Sequence, residues 1–451
     1  MNDNIFRSYD IRGIYPTEID ENIAYKIGLG YGSILQSKYN QTSCVVSHDN
    51  RISSPSLTNS LIKGLLETGI NVIDYGLTTT PMNYYARHIN NMYGIMVTAS
   101  HNPSRENGFK FSFDEFANAR GYMITEFRDY IKAGDFKKGT GTLVTKSIKN
   151  DYIKYLKDNI SLGEKKLKVV FDPANGSVTE ILSDVLKEFN IDYEIINGIS
   201  DGRFLSHHPD PSVNENLAQL KDAVIKKKAN LGFSFDGDGD RLGIVDHLGN
   251  TISIEHYGMI IVKNIINNVD KKIFLYDAKS SDNFKDYVTS LNGDTVICRT
   301  GSSYTQEKII KDGIPFGFQY VGHIGINDRG FCTESAIYAA LRLIEILSNT
   351  DESLYDLVKD LPVYENITEM RIESTDDKKR EVIENIKKYC VKNNYKIMEI
   401  DGLRVMFPTG WAYIRASNTG PTINFRAEAK NKKDLDNLVK TFTTLIDLLN
   451  K

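Results

Sequence analysis

The chain has 451 residues, of which 41% are hydrophobic and 25% charged, and a formal net charge of -4. That length calls for about three domains, and the balance is that of an ordinary globular protein, which excludes fibrous, disordered and membrane-embedded classes. So small a charge gives no global reason to bind nucleic acid or an anionic membrane, and any anion site has to be local.

The first stretch, MNDNIFRSYDIRG, lacks the apolar core of a secretory signal and sets Arg12 beside a glycine. No later run approaches the roughly 18 apolar residues of a membrane helix. The four cysteines, Cys44, Cys298, Cys332 and Cys390, are scattered with no CxxC pair, which fits reduced thiols. A cytoplasmic location is expected.

From Cys44 the chain reads as strand, polar turn and amphipathic helix: CVVSHDNRISS, then PSLTNSLIKGLLETG, then the strand INVIDYG. The apolar run from Tyr93 to Val97 predicts another strand, stopped by the turn signal Asn102-Pro103 in TASHNP. Ser100 therefore sits at a strand exit. Ligands bind at the carboxyl ends of strands in open α/β sheets, which makes Ser100 a candidate nucleophile, although serines at such positions also serve only to cap or turn the chain. Lys110, ten residues on in NGFKF, is placed for a hairpin to return it to the serine, where an ammonium stabilises phosphoryl charge or assists proton transfer.

Two more units follow the same plan, LKVVFDPANGSVTEILSDVLKEFNIDYEIIN and KIFLYDAKSSDNFKDYVTSLNGDTVICRTG. The first strand of each unit ends at a polar turn: His48-Asp49, Asp172-Pro173, Asp277-Ala278. Alternation of this kind predicts βαβ crossovers and mixed, mostly parallel sheets, hence three consecutive similar α/β domains. After Glu369 the pattern becomes strands with two helices. In the last helix Leu435, Leu438, Val439, Phe442, Leu445, Ile446 and Leu449 share one face, so the C-terminal domain is α+β. Polar stretches near 136–149 and 351–361 mark boundaries, giving predicted domains at 1–147, 148–250, 251–362 and 363–451.

The densest chemistry lies in FSFDGDGDRLGIVD, residues 233–246, where Asp236, Asp238 and Asp240 alternate with glycines directly after a strand. Bringing such carboxylates within about 4 Å costs roughly 4 kcal/mol per pair at an effective dielectric near 20. A hard divalent cation with oxygen ligands, Mg2+ by default, offsets that cost, while a solvated Asp-Gly turn is the plainer alternative. A calcium loop is excluded, because the twelfth position is His247 rather than glutamate. Arg241 follows at once, and a guanidinium beside a metal cluster suits a phosphate ligand. In RASNTGPT, residues 415–422, Arg415, Ser417, Asn418 and Thr419 precede Gly420-Pro421. That set is the inventory of a phosphate cradle, and equally of a polar β-turn.

FRSYDIRG, TASHNP with NGFKF, FDGDGDRLGIVD and DGLRVMFPTGWAYIRASNTGP, in this order over nearly the whole chain, resemble the α-D-phosphohexomutase family, in its phosphomannomutase/phosphoglucomutase branch. The resemblance implies three similar α/β domains and a fourth α+β domain. It implies that Ser100 carries a phosphoryl group and, with Asp236, Asp238 and Asp240, binds Mg2+; that Arg12, His101, Lys110 and Arg241 surround the transferring group; and that Arg415, Ser417, Asn418 and Thr419 hold the substrate's other phosphate. The implied reaction interconverts hexose 6-phosphate and hexose 1-phosphate through a hexose 1,6-bisphosphate. The partner is a small phosphosugar, with no nucleic acid or membrane, in a monomer or small homo-oligomer.

Two loops depart from the family pattern. The sugar-reading loop, typically GExSGH, is FQYVGH at 318–323. Gln319 stands for the glutamate and Val321 for the serine, while Gly322 and His323 persist. The loop RTGH is RTGS at 299–302, with Ser302 for the histidine. Gln319, Gly322 and His323 are the expected sugar-binding residues. A neutral amide holds hydroxyls more weakly than a carboxylate, since charge-assisted hydrogen bonds are about twice as strong. A mutase for another phosphosugar, such as an amino sugar phosphate, or a phosphosugar-binding paralogue with weak turnover, are the alternative readings.

Overall fold

The structure is a computed structural model that describes residues 2–115, 117–375, 377–417 and 421–450. Four sheets follow one another along the chain. The first has the order Ile11–Ile14, Glu106–Phe111, Gly94–Val97, Ser43–His48, Asn71–Leu77, Leu143–Thr145. Its last four strands run parallel, and Glu106–Phe111 is antiparallel to both of its neighbours. The second and third sheets repeat the scheme: parallel pairs around Lys168–Asp172 and Ile273–Asp277, and antiparallel strands at one edge. This is the mixed α/β architecture expected three times over.

The central parallel strands bury apolar residues on both faces, as at Val45, Val46, Val169 and Val170, all fully buried, because crossover helices cover both faces. One continuous apolar cluster runs from Val45, Tyr75 and Met82 through Val169 and Phe233 to Tyr276 and Phe318. The first three domains are therefore packed as one body.

The fourth sheet is antiparallel throughout, with Thr422–Ala429 at its centre. Helices Lys378–Lys392 and Lys432–Asn450 supply Val382, Ile386, Leu435, Leu438, Phe442 and Ile446 to a separate core. Val439, Leu445 and Leu449 flank it, half-buried, so the apolar face read from the last helix is the one that packs. Trp411 and Tyr413 join this domain to Ala278 of the third. Among the described residues no helix is long and apolar enough to cross a membrane.

Candidate active site

Ser100 lies three residues past the strand Gly94–Val97 with φ +52, a left-handed conformation that non-glycine residues rarely adopt. Its N–H donates to Thr98 Oγ1 at 2.9 Å, and its hydroxyl donates to Asp236 Oδ2 at 2.9 Å. His101 Nδ1 is 3.3 Å from the same hydroxyl. Met96 pairs with Lys110 across the hairpin, and that register brings the lysine back to the serine's end of the sheet.

The aspartate loop joins the antiparallel strands Leu231–Phe235 and Leu242–Asp246. Gly237 is needed because a Cβ there would stand 2.6 Å from the Ser100 carbonyl oxygen, so the two loops touch backbone to backbone. Asp236 Oδ1 accepts the N–H groups of Gly239, Asp240 and Arg241 at 3.0, 3.0 and 3.1 Å. Asp238 Oδ2 accepts from Thr80 Oγ1 at 2.6 Å and Lys110 Nζ at 2.8 Å, and Asp240 Oδ2 accepts from the same ammonium at 2.7 Å.

Oxygen atoms of the three carboxylates lie within 4.8 Å of one another. Asp238 Oδ1 and Asp240 Oδ1 are buried with no hydrogen-bond partner among the described residues. Orphaned carboxylate oxygens beside a serine hydroxyl fit a hard divalent cation. Burial, together with Asp240 and Asp238, pushes Asp236 well up from the usual carboxylate range. Burial acts against the Lys110 ammonium, but Asp238 and Asp240 outweigh it and raise its pKa.

Arg12, on the edge strand opposite Gly108, donates to Asn102 Oδ1 at 2.6 Å and Asp10 Oδ2 at 2.5 Å. Arg241 Nε donates to His323 Nε2 at 3.1 Å, and the two residues form a backbone bridge between the second and third domains. Because Nε can only donate, His323 Nε2 accepts, and a neutral ring carries its proton on Nδ1. Nδ1 is 3.3 Å from Glu334 Oε2 and 3.5 Å from Asp240 Oδ1. Burial, then Arg241 and Arg12, hold His101 well below the usual histidine range, so it is neutral at pH 7.

Arg12, Ser100, His101, Lys110, Arg241 and His323 line a cleft of about 650 Å³ bounded by all four domains. Arg415, Ser417 and Lys279, from the third and fourth domains, line the same cleft. Arg415 is 3.2 Å from Asp401 Oδ2, and Lys279 pairs with Glu369. Two sets of cations from different domains in one cleft suit a ligand with two anionic groups.

The chain matches four successive family models: the phosphoglucomutase/phosphomannomutase alpha/beta/alpha domains I, II and III at residues 3–138, 150–249 and 254–364, and the C-terminal domain at 369–445. It belongs to the phosphoglucomutase/phosphomannomutase family. A phosphomannomutase/phosphoglucomutase from Pseudomonas syringae is 34% identical over 443 residues, 98% of this chain and 94% of that one. A phosphoglucomutase from Neisseria meningitidis is 31% identical over 450 residues, 98% and 97% of the two chains. The crystal structure of a family protein from Burkholderia thailandensis superimposes with a TM-score of 0.92 at 29% identity, covering 100% and 98%. As a family member the protein is a mutase, an isomerase acting on sugar phosphates.

The structure brings Ser100, His101, Lys110, Arg12, Arg241 and the three aspartates together, although they come from two domains. Arg415 and Ser417 line the same cleft from the fourth domain. Asn418 and Thr419 lie outside the described residues. Gln319 borders the cleft, but both ends of its amide are engaged: Oε1 accepts from Gly301 N at 3.0 Å and Nε2 donates to Glu334 Oε1 at 3.2 Å. Gly322, at φ +101, turns the backbone between Gln319 and His323, where the Gln319 N–H donates to His323 O and the Gly322 N–H to Gln319 O, both at 2.9 Å.

Two residues escaped the sequence reading. Glu334 is fully buried behind Gln319 and His323, and burial, which works against its charge, is outweighed by His323, which holds its pKa down. No local spacing signals it, since it arrives across the hairpin register Gly325↔Glu334. Lys279 does follow a strand-exit turn, Asp277-Ala278, of the kind that flagged the other sites, and that signal would have found it.

Proposed function

We propose that this enzyme interconverts hexose 6-phosphate and hexose 1-phosphate, of mannose or glucose, through a phosphoserine at Ser100 and a hexose 1,6-bisphosphate that also acts as activator. The observation that carries the reading is the cleft that holds both Ser100, whose hydroxyl is 2.9 Å from Asp236, and the cations Arg415 and Lys279 of the third and fourth domains. Ser100, Asp236, Asp238 and Asp240 would hold Mg2+. Bound there, the ion neutralises the carboxylates and the negative charge on the oxygen that leaves phosphorus.

The chain's own residues do the rest. Arg415, Ser417 and Lys279 grip the phosphate that does not react and so aim the free hydroxyl at the Ser100 phosphoryl group. Arg12, Lys110 and Arg241 spread positive charge around that group as the new P–O bond forms and the P–Oγ bond breaks. The neutral ring of His101, 3.3 Å from the Ser100 hydroxyl, accepts the hydroxyl proton, because the lone pair of His323 Nε2 is already taken by Arg241 Nε. After the bisphosphate reorients, the second transfer runs these steps in reverse and restores the phosphoserine.

A substrate panel of mannose 1-phosphate, glucose 1-phosphate and an amino sugar phosphate, with Mg2+ and a catalytic bisphosphate, tests the reading, with Ser100→Ala as control. Turnover of either hexose phosphate, and a phosphate on Ser100 by intact mass that exchanges with substrate, are expected. Amino sugar turnover alone would move the substrate, and no phosphate on Ser100 would overturn the mechanism. The engaged amide of Gln319 favours that second reading of the substrate, since the residue that would meet sugar hydroxyls is already satisfied by protein.

A further inference from the structure

Arg51 is 1% exposed, and every N–H of its guanidinium is used. Nε donates to Asp49 Oδ2 at 3.1 Å; Nη1 donates to the carbonyls of Pro103 and Glu106 at 2.8 and 3.0 Å; Nη2 donates to those of Ser100 and Asn102, both at 2.7 Å. Asp49 is itself held by the Arg51 N–H at 3.0 Å and by Ser54 Oγ at 2.5 Å. The aromatic ring of Phe204, from the second domain, covers the guanidinium at 5.0 Å. The neighbouring Asn50 faces that domain: its N–H donates to Ser177 Oγ at 3.1 Å, and Nδ2 donates to Asn175 O at 2.7 Å and Ser200 Oγ at 3.0 Å.

We propose that Arg51 is a positioning residue for phosphoryl transfer: it clamps the turn 100–106 by four of its carbonyls, keeping Ser100 in its left-handed conformation and aimed at the aspartate loop. Asn50, one residue away, ties the clamp to the domain that carries that loop. The proposal rests on the reading of Ser100 as the phosphoryl carrier.

The physical case has three parts. A serine at φ +52 relaxes to ordinary backbone unless its surroundings hold it. Four carbonyl oxygens aimed at one buried point leave unsatisfied, mutually repelling dipoles if the cation is removed. The planar fork of five donors also cannot be copied by lysine, whose ammonium has three. Arg51 touches neither cleft nor substrate, so it acts only through where it puts Ser100.

Arg51→Lys in the full-length enzyme tests this. Misplacing a reacting group by about 1 Å costs on the order of 100-fold in rate, so kcat should fall by about that factor while KM for the hexose phosphate stays within about threefold, the phosphate grip being built from the third and fourth domains, which Arg51 does not touch. Phosphorylation of Ser100 by glucose 1,6-bisphosphate, followed by intact mass, should slow in parallel. Hydrogen exchange should speed up in residues 98–106 and stay unchanged in 233–246. A kcat within threefold of the parent, or faster exchange spread evenly over all four sheets, would overturn the proposal. If Arg51→Lys does not fold, Asp49→Asn, which keeps the shape and removes the charge orienting Nε, should show the same split at roughly tenfold, and an unchanged kcat would refute the clamp. An unmodified, inactive parent enzyme would instead refute the reading of Ser100, so the two failures are distinguishable.

Discussion

The hydroxyl of Ser100 donates to Asp236 Oδ2 at 2.9 Å, although the residues lie 136 positions apart and belong to different sheets. Both follow directly from strands whose carboxyl ends face the same cleft, the place where open α/β sheets present ligand-binding groups. The active end of the cleft is therefore a junction between two domains, closed on a third side by the Arg241 to His323 bridge. Anything that changes charge at this junction should register both as stability and as activity.

Magnesium is the direct case. The three buried carboxylates repel one another, and two of their oxygens are unpaired. A ligand at about 100 times its Kd stabilises by about 2.7 kcal/mol, so millimolar Mg2+ should raise the melting temperature of the chelator-treated protein by a few degrees. Asp240→Asn, which replaces one orphaned oxygen by an amide, should lose most of that rise. A parent protein that melts identically with and without the ion would contradict the site, and differential scanning fluorimetry reads both.

Gln319 and Glu334 yield a prediction that runs against simple restoration of the family loop. The amide donates to a buried carboxylate at 3.2 Å. Gln319→Glu alone would set two carboxylates against each other, at a cost of about 4 kcal/mol for an effective dielectric near 20, and should lower both melting temperature and kcat. Adding Glu334→Gln should recover most of the melting temperature. Additive losses in the double variant would show that the pair is not coupled.

Glu428 makes the stability of the fourth domain depend on pH. Its Oε1 accepts from Asp282 N and from Trp411 Nε1, both at 2.9 Å, at the junction with the third domain, and burial pushes its carboxyl up from 4.5 to about 7. The folded state then holds a proton that the unfolded state has released between pH 4.5 and 7, so stability from this group is full below about 4.5 and falls as pH rises through 7. The difference is about 3 kcal/mol at 1.36 kcal/mol per unit. Glu428→Gln keeps an acceptor for both donors and should flatten that slope, raising the melting temperature at pH 8 more than at pH 5. An equal shift at both values would refute it.

Lys279→Ala should weaken the hold on the unreacting phosphate. A hydrogen bond to a charged group contributes about 1.5–3 kcal/mol, so KM should rise by roughly tenfold or more with kcat changed little, the pattern of lost uniform binding. Steady-state kinetics decide, and a fall in kcat at unchanged KM would place the lysine in the chemical step instead.

The sequence by itself determined the elements and the chemical inventory. Turn residues at strand exits, period-3.6 apolar faces such as Leu435 to Leu449, and aspartates alternating with glycines are short-range signals, written within about ten residues of the group they place. They located Ser100, Lys110, the three aspartates and Arg415 without any knowledge of contacts. Only the tertiary structure decided which of these meet and what stands behind them. Glu334 under Gln319, the four carbonyls gripped by Arg51, and Glu428 against Asp282 are pairings between distant segments, and a buried polar group's partner is set by which sheets pack together. A residue such as Gln319 therefore reads from sequence as a weakened sugar contact, and in the fold as the neutral donor that a buried glutamate requires.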